Sequence, residues 1–176
     1  MKTEKFNYDL PEHLIAQYPS KNRVDSRLLA CINEAEHRQF KNIASYMKKG
    51  DLLVVNQTSV IPARLHGEKS TGGKVEIFLE RFMSSSQTLV QIKSSRSPKE
   101  QTQLIFSFDG DKFSAIVIGR QDNFFILEWA SDPHEIFESF GEIPLPPYMH
   151  RSAEKIDKER YETVYADAQR KESVAA

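Results

Sequence analysis

Hydrophobic and polar positions follow different patterns in three parts of the chain. Residues 6–62 combine short apolar runs with helical spacing, which predicts a mixture of helices and strands. From about Ala63 to Trp129 the apolar residues form short runs rich in Val, Ile and Phe, and these favour β-strands. Helical spacing returns after Asp132-Pro133. This order predicts a β-barrel inserted into an α/β domain.

The first part contains two helical and two extended patterns. They predict a short helix after the capping pair Asp9 and Glu12, a strand over 27–32, a helix over 42–49 and a strand over 52–56. The last of these, LLVVN, is apolar until its final residue and is therefore predicted to be a buried strand.

The middle part predicts an all-β domain with tight turns. Asp109-Gly110 between two apolar runs indicates a hairpin, because both residue types tolerate the positive φ angles of a two-residue turn. The predicted strands cover 75–82, 88–92, 104–108, 113–118 and 124–129.

The third part predicts a helix from Asp132-Pro133 to Gly141, an extended proline segment over 144–148 and a charged helix from Ser152 to about Ala168. The domain prediction is therefore an α/β domain over 1–62 and 130–176, with a small antiparallel barrel over 63–129.

Composition narrows the class of protein. The single cysteine, Cys31, excludes a disulfide framework, and its apolar strand predicts a buried, inert thiol. No run approaches the ~20 apolar residues of a membrane span, and the polar N-terminus is unlike a secretory signal. These features predict a cytoplasmic protein. The net charge of −1 neither indicates nor excludes nucleic acid.

Basic residues are concentrated in the predicted barrel. From Arg64 to Arg120 there are nine Lys and Arg against six Asp and Glu. Lys93, Arg96 and Lys99 lie in a stretch without acidic residues. A basic loop of this kind either neutralises phosphates or is simply solvated.

Complete catalytic motifs such as a P-loop, a nucleophile elbow or HExxH are absent from the sequence, and its five histidines lack metal-ligand spacing. Two segments are nevertheless candidates for a site. Asn56, Thr58 and Arg64 follow the predicted buried strand, although Asn and Thr also suit ordinary turns. The stiff segment 141–151 presents Tyr148 and Arg151, or is a plain connector.

Together, three segments resemble the S-adenosylmethionine:tRNA ribosyltransferase-isomerases of queuosine biosynthesis. The resemblance runs in order from about residue 6 to residue 176. It is carried by FNYDLPEHLIAQYPSKNRVDSRLL (6–29), by GDLLVVNQTSVIPARLHGEKSTGGKVEIFLER (50–81), and by GEIPLPPYMHR with RYETVYA (141–151 and 160–166).

The resemblance implies an enzyme that moves the ribosyl group of S-adenosylmethionine onto 7-aminomethyl-7-deazaguanine in tRNA and isomerises it, giving epoxyqueuosine. It implies S-adenosylmethionine as co-substrate and the wobble position of a tRNA anticodon loop as partner. We further expect a monomer without a tightly bound cofactor, a metal or a membrane contact.

The same resemblance nominates residues that line the site or contact RNA, and it does not identify the general base. Arginines suit phosphate or carboxylate groups, and each tyrosine is otherwise a packing residue with a bonded hydroxyl. With the basic loop, the candidates are Arg27, Asn56, Thr58, Arg64, Lys93, Arg96, Lys99, Tyr148, Arg151, Tyr161, Thr163 and Tyr165.

One departure from the family concerns the last residues. In the family, the segment matching Ser173–Ala176 continues into Pro-Thr-Ala-Gly-Leu-His-Phe and a large α/β portion, whereas this sequence ends at Ala176. The resemblance therefore implies a truncated, N-terminal portion with a partial α/β domain. The alternatives are a catalytically inactive tRNA-binding module and a degenerate remnant of the enzyme.

Overall fold

The computed structural model describes residues 2–146 and 148–166 and divides the chain into two compact units. The first, here the hairpin unit, comprises Met1–Val55 and Pro146–Ser152. The second, the barrel unit, comprises Asn56–Leu145 and Ala153–Ala176.

The hairpin unit contains a two-stranded antiparallel sheet, β1 (Arg27–Cys31) and β2 (Ala35–Gln39). The predicted strand over 27–32 is thus confirmed. The sequence did not predict β2, because all five of its residues are exposed and its side chains show no apolar alternation. The described residues of this unit also form four short 3₁₀ helices, at Thr3–Phe6, Glu12–Leu14, Arg23–Asp25 and Phe40–Tyr46.

Two helix predictions in this unit were wrong in type and length. The segment after Asp9 forms only the 3₁₀ turn Glu12–Leu14, and the helix predicted over 42–49 is the 3₁₀ segment Phe40–Tyr46. Neither segment buries a residue among the described part of the chain. Short helices gain most of their stability from packing an apolar face, so helical spacing alone did not suffice here.

The predictions of a buried strand over 52–56 and a buried Cys31 were also wrong. Leu52 is 87% exposed and Val54 is 83% exposed, and no described strand pairs with them. An apolar run becomes a buried strand only where a neighbouring strand satisfies its backbone and another layer covers it. Cys31 is exposed for the same reason, since β1 pairs only with β2 among the described residues.

Six strands of the described chain form a closed antiparallel barrel, which confirms the predicted all-β middle. Its strand order is β3-β4-β5-β8-β7-β6, and a short pairing of β3 with β6 closes the ring. The strands are β3 (Arg64–Lys69), β4 (Lys74–Phe82), β5 (Gln87–Ser94), β6 (Gln103–Phe108), β7 (Asp111–Gln121) and β8 (Phe124–Trp129).

Alternate residues of these strands point inward and fill the barrel. The ring of Phe106 stacks on Trp129 with centroids 5.2 Å apart. The indole Nε1 of Trp129 donates a 2.8 Å hydrogen bond to Oγ1 of the buried Thr88, so the two polar atoms satisfy each other. The turn between β6 and β7 has Asp109 at φ 47° and Gly110 at φ 102°, which confirms the predicted hairpin.

Two short α-helices follow the barrel strands. α1 (Pro133–Phe140) begins at the N-cap Asp132 and packs Ile136 and Phe137 into the barrel core, as the sequence predicts. α2 (Lys155–Arg160) is shorter than the helix predicted over 152–168, because it lacks an apolar face and buries only Asp157 among its residues. Residues 167–168 of that prediction lie outside the described residues.

The proline segment contains no helix or strand at its described positions, but the N–H of Met149 donates a 2.9 Å hydrogen bond to the carbonyl of Pro146, which closes a turn. The prediction of an extended segment over 144–148 was therefore wrong at Tyr148, and residue 147 lies outside the described part. Ile143, Pro144 and Leu145 are buried in the barrel unit. Within the described ranges, every helix is too short or too polar to cross a membrane.

A matched pair of glycine substitutions tests the tight packing between β3 and β6. A Cβ at Gly67 would lie 2.6 Å from the carbonyl oxygen of Ile105 and 2.6 Å from the ring of Phe106. We expect Gly67→Ala to lower the free energy of unfolding of the barrel unit by about 1–3 kcal/mol, the usual cost of overpacking. Urea unfolding followed by the fluorescence of Trp129 measures this cost.

Gly119→Ala is the control, because a Cβ there has no described atom within 4 Å. Its effect is expected to stay within about 0.5 kcal/mol. Equal losses in the two variants would contradict the packing argument.

Candidate functional site

A cavity of about 350 Å³ lies in the barrel unit, where α1, the end of β4 and two irregular segments meet. This volume falls within the range of small-molecule sites. The lining residues come from positions 59–62, from β4, from α1 and from positions 162–166. They are Ser59, Val60, Ile61, Pro62, Phe82, His134, Phe137, Glu138, Glu162 and Ala166.

Local sequence explains how the polar residues reach this cavity. His134 and Glu138 are four residues apart on α1, so both lie on the face of the helix that carries Phe137. Asp132 fixes the start of the helix by accepting a 2.8 Å hydrogen bond from the backbone N–H of His134.

Backbone hydrogen bonds tie the chain after α1 to the first strand of the barrel. The N–H of Arg64 donates to the carbonyl of Glu142 at 3.2 Å, and the N–H of Glu142 donates to the carbonyl of Arg64 at 2.9 Å. This bridge fixes residues 59–62, which lead into Arg64, beside the end of α1.

Three of the ten residues that line the cavity are aromatic, namely Phe82, His134 and Phe137. The ring of Phe82 stacks on His134 with centroids 3.7 Å apart and an interplanar angle of 18°. Phe137 meets Phe82 edge-on at 6.0 Å and Trp129 at 5.8 Å. Ser59, Glu138 and Glu162 add polar groups, two of them carboxylates. The aromatic rings offer flat faces against which a planar ligand could stack.

Two of the sequence segments that carry the family resemblance meet at this cavity, but through residues that sequence reasoning missed. Ser59 follows the candidate Thr58, and Glu162 lies between the candidates Tyr161 and Thr163. Glu138 and His134 could have been found from their helical spacing after Asp132-Pro133. The sequence does not identify Phe82 as a cavity residue, because an aromatic residue at the end of a strand is equally typical of a hydrophobic core.

Several candidates next to the cavity form hydrogen bonds with residues only two positions away in the chain. Oδ1 of Asn56 accepts hydrogen bonds from the N–H of Thr58 at 2.9 Å and from its hydroxyl at 2.6 Å, which is the turn geometry weighed above. Oγ1 of Thr163 accepts a 3.3 Å hydrogen bond from the N–H of Tyr165. Tyr161 is half-buried, whereas Tyr165 is exposed.

Arg64 is placed on β3, outside the lining of the cavity. Its side chain is half-buried, and its Nε lies 3.6 Å from Oε1 of Glu76 on the neighbouring strand β4. The guanidinium therefore faces a carboxylate of the barrel itself.

Three candidates belong to the hairpin unit. Arg27 is exposed on β1, opposite Gln39, and Tyr148 is exposed. The guanidinium of Arg151 lies 4.4 Å from the ring centroid of Tyr18, and its Nε donates a 2.8 Å hydrogen bond to the carbonyl of Gln17. Arg151 thereby joins the 146–152 segment to the N-terminal part of its own unit.

The remaining candidates lie on one side of the barrel, where the structure adds two further bases. Nζ of Lys69 donates to the carbonyl of Arg96 at 2.9 Å, and Nη2 of Arg120 donates to Oγ of Ser97 at 2.5 Å. Arg120 and Lys99 line the same shallow depression. We call this group the basic surface: Lys69, Lys93, Arg96, Lys99 and Arg120.

Acidic residues at this surface are few. Glu100 lines the depression with Lys99, and Glu76 is paired in register with Lys93. Sequence reasoning missed Lys69 and Arg120 because they are 27 and 24 residues from Arg96 and reach the loop only through barrel closure. Among the described residues, no group of three or more His, Cys, Asp or Glu is placed to hold a metal ion.

Comparison with known proteins identifies the class. The family model described as "Queuosine biosynthesis protein" matches residues 3–176. The chain therefore belongs to the queuosine biosynthesis protein family, as its sequence motifs predict.

Named relatives specify the family further. The chain is 46% identical over 169 residues to the S-adenosylmethionine:tRNA ribosyltransferase-isomerase of Legionella pneumophila (strain Lens), covering 94% of this chain and 49% of that protein. It is 46% identical over 173 residues to the protein of that name from Polynucleobacter necessarius subsp. necessarius (strain STIR1), covering 94% and 50%. The chain thus spans about half the length of these relatives.

A solved structure is also similar. The crystal structure of S-adenosylmethionine tRNA ribosyltransferase from Thermotoga maritima matches with 33% sequence identity and a TM-score of 0.40. The match covers 78% of this chain and 48% of that one.

Substitutions at the N-cap of α1 test how the cavity residues are held. We expect Asp132→Ala to lower the free energy of unfolding of the barrel unit by about 1 kcal/mol, because the N–H of His134 loses its acceptor. Asp132→Asn keeps an acceptor oxygen and should stay close to the parent. Urea unfolding followed by Trp129 fluorescence compares them, and a loss of the same size in Asp132→Asn would argue against capping.

Proposed function

We propose that the chain works in ribosyl transfer from S-adenosylmethionine to tRNA. The acceptor is 7-aminomethyl-7-deazaguanine at the wobble position, and the product after isomerisation is epoxyqueuosine. The observation that carries this proposal is the 46% identity, over 94% of the chain, to proteins named for that reaction. The proposal includes S-adenosylmethionine as co-substrate, no metal, a monomer and a cytoplasmic location.

The proposed reaction sets physical demands on the site. The sulfonium of S-adenosylmethionine acidifies the C5′ protons of the ribose, so that a general base can remove one and promote the loss of adenine. The amine of the tRNA base then attacks the activated sugar, and the rearrangement to the epoxide breaks the bond between C5′ and sulfur and releases methionine. The intermediates need exclusion of water, and the acceptor base has to leave its stack.

The basic surface supports the tRNA part of the proposal. Its bases come from β3, β5, the 95–102 loop and β7, and hydrogen bonds from Lys69 and Arg120 hold the loop against the barrel. A held loop loses less conformational entropy when it binds phosphates. In this proposal it contacts the tRNA backbone.

A second candidate function is tRNA binding without turnover. The basic surface favours it, because phosphate contacts require Lys and Arg side chains and no reacting group. Both candidates require tRNA binding, and only the first requires ribosyl transfer.

Charge removal on the basic surface tests tRNA binding. We expect Lys93→Ala/Arg96→Ala/Lys99→Ala to weaken binding and to reduce the slope of log K against log salt concentration by about 2–3, since each phosphate contact contributes roughly 0.7–0.9. Filter binding or fluorescence anisotropy over a salt series measures the slope.

Lys112→Ala is the control for removing a barrel lysine. Lys112 is eight residues from Arg120 along β7, about 26 Å in an extended strand. It should leave the slope within about one unit of the parent value. An unchanged slope in the triple variant would exclude these three residues as phosphate contacts.

Turnover separates the two candidate functions. On the first candidate function we expect tRNA incubated with the chain and S-adenosylmethionine to acquire epoxyqueuosine, and on the second we expect tRNA binding without it. Mass spectrometry of nucleosides from tRNA incubated with the chain and S-adenosylmethionine provides the measurement. Formation of epoxyqueuosine would show that these residues suffice.

A further inference from the structure

The loop between β5 and β6, residues 95–102, is tied to the barrel at several points. Pro98 is buried, and the N–H of Gln101 donates a 2.8 Å hydrogen bond to the carbonyl of Val117 on β7. The N–H of Thr102 donates to the carbonyl of Lys99 at 3.1 Å, which closes a turn at the end of the loop. A backbone held in this way needs little further ordering when a ligand binds to its side chains.

The basic side chains of this region have hydrogen-bonding capacity that the described part of the protein does not use. Within the described ranges, the ammonium of Lys99 and the guanidinium of Arg96 form no hydrogen bond or ion pair. Arg120 uses one N–H on Oγ of Ser97, out of the five that a guanidinium carries. All three basic side chains are exposed, so their remaining donors are available to an anion.

Two of these cations share one concave place. Lys99 and Arg120 line a shallow depression of about 540 Å³. The hydroxyl of Ser97, which accepts the hydrogen bond from Arg120, lines it too and keeps its own hydrogen to donate. The remaining lining residues are Pro98, Glu100 and Val117. A guanidinium, an ammonium and a hydroxyl are the donors that bind phosphoryl oxygens.

The number of charges at the depression indicates what kind of phosphate it fits. Lys99 and Arg120, with Arg96 close by in the loop, give three positive charges against the single negative charge of Glu100. A phosphodiester of a nucleic acid brings one negative charge, whereas a terminal phosphate carries about −1.5 to −2 at pH 7. A chain of adjacent phosphates therefore balances this group of cations better than a single diester does.

We propose that the depression lined by Ser97, Lys99 and Arg120 binds the triphosphate group of a compact anion, either inorganic triphosphate or a nucleoside triphosphate. This ligand is neither of the two substrates of the proposed reaction. Its binding is independent of the proposed function. One consequence does rest on that function: a triphosphate in the depression occupies cations of the basic surface and competes there with tRNA.

Isothermal titration calorimetry of the 176-residue chain at low, fixed salt concentration tests the binding. The ligands are inorganic triphosphate, ATP and a dinucleoside monophosphate, which has one diester and no terminal phosphate. We expect one triphosphate per chain and at least about tenfold weaker binding of the dinucleoside, which loses charge-assisted hydrogen bonds. Equal affinity of ATP and inorganic triphosphate assigns recognition to the phosphates alone, and tighter binding of ATP identifies a nucleotide as the source. Absence of triphosphate binding, or equal affinity for the dinucleoside, would overturn the proposal.

Variants assign the binding to the depression. Lys99→Ala and Arg120→Ala should each weaken triphosphate binding about tenfold. The ammonium of Lys99 has no partner in the described chain, so its removal leaves the loop's own hydrogen bonds in place. Glu100→Gln should tighten binding, because it removes a negative charge from the lining.

Lys112→Ala is the matched control, since it removes a lysine from β7 outside the depression. It should bind triphosphate like the parent. Parent-like affinity in both Lys99→Ala and Arg120→Ala, a loss of the same size in Lys112→Ala, or weaker binding in Glu100→Gln would contradict the assignment.

Competition is measured separately by the fluorescence anisotropy of labelled tRNA. Inorganic triphosphate should displace tRNA more strongly than sodium chloride of equal ionic strength, because screening alone acts equally in the two titrations. Binding of triphosphate by a chain that does not bind tRNA would support the depression and count against the proposed function. Binding of both without displacement beyond the salt control would overturn the competition.

Discussion

The contact between Phe137 and Trp129 is the interaction on which the barrel unit's candidate cavity depends. Trp129 is held inside the barrel by its hydrogen bond to Thr88, and Phe137 meets it edge-on while being fully buried. This contact anchors α1 to the barrel, and α1 in turn carries His134 and Glu138 to the cavity. The position of the cavity's polar side chains on α1 therefore depends on an apolar contact, because a helix of eight residues would not be stable on its own.

Barrel closure has a comparable role for the basic surface. Lys69 on β3 and Arg120 on β7 are far apart in sequence, yet both donate hydrogen bonds to the loop that follows β5. Arg120 also lies over the ring of Phe125, 4.1 Å from its centroid, which further restricts its guanidinium. The fold thus holds the charged groups of Lys69 and Arg120, and these two side chains hold the backbone of Arg96 and the side chain of Ser97 in the loop.

Sequence reasoning predicted what local chemistry determines. The strands of the barrel, the Asp109-Gly110 turn and the start of α1 all depend on alternation, turn residues or capping within a few positions. It failed where the outcome depends on distant partners. The apolar run at 52–55 has the composition of a buried strand but no described strand beside it. Glu162 was overlooked because nothing local shows that it faces α1 across a cavity.

The basic surface and the cavity of the barrel unit differ in the residues that form them. Phosphate contacts position a nucleic acid and depend on salt, whereas contacts to a base decide which nucleotide is accepted. The basic surface consists of Lys and Arg, which suit phosphates of any sequence. The lining of the cavity instead combines three aromatic rings with aliphatic residues and with Ser59, Glu138 and Glu162. Because the two places share no residue, the effect of substitutions at one can be compared directly with the effect of substitutions at the other.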